Sequence, residues 1–179
     1  MKALLDTCVI YPTVMRQMLL RTAHAGAFTP LWSARIIAEW QRAVVKLGPD
    51  GIAQAGAEAA LMGAAWPKAE VTWPPSLEAR LWLPDPADTH VLAAAIAGSA
   101  DVIVTLNAKD FPRRILAEEG VSRVDPDALL HGIWQAQPDM MTQVGAAVLD
   151  EARRLSRDGW TMRNLLKKAR LPRLAKALG

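Results

Sequence analysis

With 179 residues, 51% of them apolar, the chain carries enough Val, Ile, Leu, Trp and Ala for one packed domain, or one domain with a helical appendage. Its single cysteine, Cys8, excludes an intrachain disulfide and any multi-cysteine metal centre, and it points to a reducing, cytoplasmic setting. No apolar run approaches the roughly 20 residues that span a bilayer, and the apolar part of MKALLDTCVIYP is too short for a signal peptide. The net charge of +3 is unevenly spread: residues 1–150 hold 12 Lys/Arg against 16 Asp/Glu, and residues 151–179 hold 9 against 2. An acidic body with a basic tail fits a metal-binding core beside a polyanion-binding surface, although solvated basic helix faces would produce the same tail.

The apolar residues 3–5 and 8–10 flank Asp6 in ALL-DT-CVI, a run that suits a buried strand opening a parallel sheet. Asp6 then lies near the strand's carboxyl end, where open α/β sheets place ligands; a buried aspartate there must be paired, hydrogen-bonded or metal-bound, unless it merely caps the next turn through Thr7. Cys8 lacks the C-x5-R spacing of a phosphatase loop, because Arg16 is too far along, and reads as a packed thiol. Pro12 opens a helix reaching about Ala23. Residues 27–32 lead through Pro30 to Trp32, and Ser33 is a good N-cap for a helix from Ala34 to about Lys46. Glu39 lies in the middle of that helix, beside its apolar face, and gains interest only if the helix packs next to Asp6.

Gly48-Pro49 breaks the chain, and Asp50 is placed to cap an alanine-rich helix over about 51–65. Residues 71–73 are extended, 76–83 form a turn or short helix, and Leu83-Pro84-Asp85-Pro86 is a stiff entry to the most informative stretch, DPADTHVLAAAIAGSADVIVTLNAKDFP. It holds two carboxylates, Asp85 and Asp88, at the start of an apolar helix over 89–98. The helix dipole favours an ionised Asp88 by roughly 0.3–1 kcal/mol, but capping explains one acid better than two. His90 reads as a surface residue or a neighbour of the acids. A strand follows at 102–106, with Thr105, Asn107 and Asp110 at or beyond its carboxyl end. Helix 112–119, a short edge strand at 121–124 and helices at 126–136, 138–155 and 161–169 complete the chain, with a last turn at RLAKAL. The alternation of strand and helix predicts an α/β sandwich with a mainly parallel sheet, followed by helices alone.

Several carboxylates without histidine or cysteine partners suit Mg2+ or Mn2+, which prefer hard oxygen ligands. Such ions offset the charge of a phosphodiester and lower the pKa of a bound water. The segments LLDTCVIYP at 4–12, WSARIIAEW at 32–40 and DTHVLAAAIAGSADVIVTLNAKDFP at 88–112, in that order, resemble the PIN-domain ribonucleases, including VapC-type toxins of bacterial toxin–antitoxin pairs. The resemblance covers about residues 1–125, and RLPRLAKAL resembles an extension found in one subgroup.

It implies a three-layer α/β/α PIN-like sandwich over 1–125 with a helical extension over 126–179. It also implies metal-dependent endonucleolytic cleavage of RNA, with Asp6, Glu39, Asp88 and Asp110 holding one or two Mg2+ or Mn2+ ions. A metal-activated water would attack the phosphodiester in line, leaving a 5′-phosphate. Asn107 stands where many members have a further acid, which leaves it as a neutral ligand or a substrate contact. Thr7 and Thr105 would hydrogen-bond the cluster, and Arg113, Arg114 and the basic tail would contact RNA phosphates. The resemblance further implies a homodimer and a small cognate antitoxin. The alternative reading is a non-catalytic RNA- or protein-binding module of the same fold. A haloacid-dehalogenase-like phosphatase is disfavoured, because the second aspartate it needs would fall at Cys8.

Overall fold

The computed structural model describes residues 1–179. In chain order the elements are β1 (Lys2–Leu5), α1 (Thr7–Ile10), α2 (Thr13–His24), β2 (Thr29–Leu31), α3 (Ala34–Ala43), α4 (Gly48–Ala65), α5 (Pro75–Ala79), α6 (Thr89–Ala97), β3 (Val102–Val104), α7 (Arg113–Glu118), β4 (Ser122–Val124), α8 (Pro126–Ala136), α9 (Pro138–Leu155), α10 (Met162–Lys168) and α11 (Pro172–Leu178). Short 3-10 turns lie at Val45–Leu47 and Pro86–Asp88. The chain packs as two compact units, one of residues 1–11 and 29–124 and one of residues 12–28 and 125–179. The expected α/β class with a mainly parallel sheet is what forms. The four strands run in the order β2-β1-β3-β4, and every pairing is parallel.

In the first unit the two central strands are buried almost throughout: Ala3, Leu4 and Leu5 in β1, and all of β3. Parallel strands buried on both faces read as continuous apolar runs, as LL and VIV do here. Helix α6 packs against both and is itself buried from Thr89 to Ala95; its alanines permit the close approach. The helix ends at Gly98, whose backbone lies so near the sheet that an added Cβ would sit 2.9 Å from Leu31 Cδ1 and 3.0 Å from Val71 Cγ2. Helix α3 begins at Ser33, as its sequence signals: the Ser33 hydroxyl accepts from the Ile36 amide at 3.2 Å. Its buried face carries Ile36 and Trp40.

Three local expectations change. The apolar run at 8–10 does not extend the first strand; it turns into α1 immediately after Asp6. Pro30 had obscured strand β2. The strand lies at the sheet edge, where the missing proline N–H costs no ladder bond, and it pairs with Ala3 of β1. Asp50 does not cap α4, which starts earlier, at Gly48, with Pro49 in its first turn.

The second unit is all helix. It includes α2, which packs on α8 and α9, and it buries Met15, Met18, Leu19, Leu130, Met141, Leu166, Leu171 and Leu174. Asp127, only 4% exposed, accepts from the amides of Arg173 at 2.9 Å and Leu174 at 3.0 Å, the otherwise orphaned donors at the start of α11. Arg21 and Glu151 form an ion pair between α2 and α9.

Candidate metal centre

Parallel pairing brings the carboxyl ends of the strands together. Leu5 of β1 stands beside Val104 of β3, so the next residues, Asp6 and Thr105, are neighbours. The Thr105 hydroxyl donates to Asp6 Oδ2 at 2.7 Å and accepts from the Asn107 amide at 2.9 Å, which holds the turn leaving β3. Cys8 Sγ also reaches Asp6 Oδ2, at 3.1 Å. Asp6 is buried and makes no side-chain cap to α1, so capping does not account for it.

Asp88 lies at the N-terminus of α6, and it too makes no side-chain cap. Asp85 caps the preceding 3-10 turn, Pro86–Asp88, where its Oδ1 accepts from the Ala87 amide at 2.9 Å. Asp88 Oδ2 accepts instead from Asn107 Nδ2 at 3.2 Å. Asp85, Asp88 and Asp110 each offer an oxygen within 4.8 Å of the others. Glu39 reaches the same region from α3, which packs on α1: Oε2 accepts from the Thr7 hydroxyl at 2.9 Å, and Oε1 lies 3.0 Å from His90 Nε2 and 3.5 Å from Arg35 Nε.

Burial pushes the Asp88 carboxyl up to about 6, helped by the charges of Asp6, Asp85, Asp110 and Glu39. Four other carboxylates thus act on Asp88, and the cations paired within the group are Arg35, 3.5 Å from Glu39, and Lys109. Lys109 stands 4.0 Å from Asp110 with its side chain almost wholly exposed, where such a pair is worth little. Burial, then the charge of Asp6, pushes the Cys8 thiol up to about 12, so the sulfur is a neutral packed group and not a soft metal ligand. Burial also lowers the His90 pKa, outweighing the opposing pull of Glu39. The donor set is therefore hard oxygen, and Asp85, Asp88 and Asp110 could together hold a divalent cation.

The sequence-derived residues all fall in the first unit. Asp88 and Asp110 belong to the tightest carboxylate group, while Asp6 and Glu39 lie beside it, held by Thr105 and Thr7. Asn107 contacts Asp88 through its amide nitrogen. Arg113 and Arg114 are exposed at the start of α7, and Arg114 makes only an i,i+4 pair with Glu118, at 3.3 Å. Asp85 is absent from the set that the resemblance implies, yet it completes the group. Its signal was the pair of acids three residues apart at a helix entry. His90, read as a surface residue or a neighbour of the acids, is 1% exposed and contacts Glu39.

The fold and the site together define an α/β protein with an acid-lined centre at the carboxyl edge of a parallel sheet. The family model described as a PIN domain matches residues 2–109, more than half of the chain. The chain belongs to the PIN-domain family, whose members are generally nucleases. No curated protein and no solved structure matches the chain. No helix is long and apolar enough to cross a membrane.

Proposed function

We propose that the protein is a divalent-metal-dependent endoribonuclease and the toxin of a type II toxin–antitoxin pair. The observation that carries the reading is the convergence, in a PIN-domain chain, of Asp85, Asp88 and Asp110, whose carboxylate oxygens lie within 4.8 Å of one another. Asp85, Asp88 and Asp110 would hold the ion, with Asp6 and Glu39 as the remaining carboxylates of the centre. When bound, the ion supplies an activated water and offsets phosphodiester charge. Asp6 is held by the buried Thr105 hydroxyl, and its charge reaches Asp88. Asn107 orients Asp88, and its amide oxygen remains free to meet a ligand or substrate. Exposed Arg113 and Arg114 are suited to the RNA backbone, where contacts position substrate without reading sequence.

The toxin reading also proposes a second copy of the chain and a small antitoxin as partners. Alanine-rich α4 supports it, with Leu47, Ile52 and Leu61 exposed along and beside the helix. The test is cleavage of a mixed cellular RNA pool with Mg2+ or Mn2+, comparing wild type with Asp6→Asn and with EDTA. Cutting that is lost in both controls, and that leaves 5′-phosphate ends, is expected. Folded protein that binds the ion but cuts no RNA would favour a non-catalytic binding module.

A further inference from the structure

His90 stands out as a buried titratable group to which the proposed reaction assigns no role. It lies two residues from Asp88 on α6, is 1% exposed, and places Nε2 3.0 Å from Glu39 Oε1. Its other nitrogen, Nδ1, is buried with no hydrogen-bond partner. That pattern selects a tautomer. With the proton on Nε2, the ring donates to Glu39 and leaves only a lone pair unsatisfied at Nδ1; with the proton on Nδ1, both a donor and the Glu39 contact would be lost. An unsatisfied buried polar atom is destabilising, and a leucine would fill much the same space without that cost. The imidazole therefore needs a reason beyond packing, and the only polar partner it has is Glu39.

Glu39 is approached at both oxygens: Thr7 donates to Oε2 at 2.9 Å, and His90 Nε2 lies 3.0 Å from Oε1. Arg35 also reaches Oε1, at 3.5 Å, but it is a half-exposed side chain shared with Glu78. The rigid member of the clamp is the buried histidine. Each carboxylate oxygen accepts two bonds, so Oε2, which Thr7 alone engages, keeps one acceptor direction for a cation or for water around it.

We propose that His90 is a positioning residue, which donates through Nε2 to Glu39 and fixes that carboxylate in the orientation the metal centre requires. The inference rests on the metal-site reading above. Partners of this kind commonly change metal affinity by about 10- to 100-fold when removed.

The test uses the full chain and Mn2+ alone, with affinity measured by isothermal titration calorimetry and the thermal midpoint measured separately in EDTA. His90→Leu removes the donor at similar volume. His90→Gln keeps an amide N–H close to the Nε2 position. His90→Leu is expected to weaken Mn2+ binding by about 10- to 100-fold, and His90→Gln to stay within about threefold of wild type. In a Glu39→Gln background, His90→Leu is expected to have no further effect on affinity, because its action runs through the Glu39 carboxylate.

A purely structural histidine gives the opposite pattern: a lowered midpoint for His90→Leu with unchanged Mn2+ affinity, which overturns the proposal. Should His90→Leu fail to fold, the proposal is decided by His90→Gln, where a tenfold loss of affinity would refute the role of the donor. Wild type that binds no Mn2+ overturns the metal-site reading and this inference together. Wild type that binds, with His90→Leu binding equally well, overturns this inference alone.

Discussion

Replacing Asp88 with asparagine should stabilise the metal-free protein while crippling the centre. The carboxyl is pushed up to about 6 by burial and by four acidic neighbours, so the folded state holds the proton more tightly than the unfolded chain does. An acid shifted in this direction contributes stability that is fully present below its unfolded pKa, near 4, and lost as the pH rises through 6. At pH 7.5 the ionised Asp88 is therefore a net cost. A shift of about two units corresponds to nearly 3 kcal/mol, but the side chain is only half-buried, and solvent screening reduces the figure to about 1 kcal/mol. Asparagine keeps the size and an oxygen that can accept from Asn107 Nδ2, so the exchange removes the charge and little else.

For a chain of this length, 1 kcal/mol moves the midpoint by about 2–4 °C. Thermal unfolding followed by circular dichroism in EDTA should place Asp88→Asn above wild type by that amount at pH 7.5. The gap should close as the pH falls toward 4. Addition of Mn2+ should reverse the order, because ligand binding to the folded state stabilises wild type and the variant lacks the charge that attracts the ion. Equal or lower stability of Asp88→Asn in EDTA at pH 7.5 would refute the reasoning, since the crowding of acids would then impose no strain.

Two further predictions concern the scaffold. Gly98→Ala should destabilise by about 1–3 kcal/mol in denaturant titration, because the new methyl meets Leu31, Val71 and the Ala94 carbonyl at 2.9–3.2 Å; an unchanged midpoint concentration would show that the α6 end can shift freely. Asp127→Ala should cost about 2–3 kcal/mol and speed amide exchange over residues 172–178, since it strips the partners from two amide donors at the start of α11; protection equal to wild type would contradict the proposed cap.

The sequence by itself determined what is local. Runs such as VIV, the Ser33 cap, and the prolines that open helices act within a few residues, and the elements they define appear close to where they were expected. The succession of strand and helix also determined the parallel α/β class, because parallel strands need crossover connections. The acids at strand and helix ends were legible as a set for a related reason: a parallel sheet exposes ligands at its carboxyl edge.

Only the tertiary structure decided which of these groups meet. Asp6 and Thr105 are 99 residues apart in sequence, and it is the β1–β3 register that makes them partners. Asp85 and Asp88 look interchangeable as helix-entry acids; the folded backbone gives capping to Asp85 and leaves Asp88 free of it, although both face Asp110. Strand β2 became visible only with the sheet order, since Pro30 is harmless at an edge and disruptive elsewhere. His90 has no periodicity that marks it as buried or as a partner of Glu39. That contact exists because α6 and α3 are brought together in three dimensions, and the strength of a hydrogen bond or a charge interaction depends on distance through space rather than on separation along the chain.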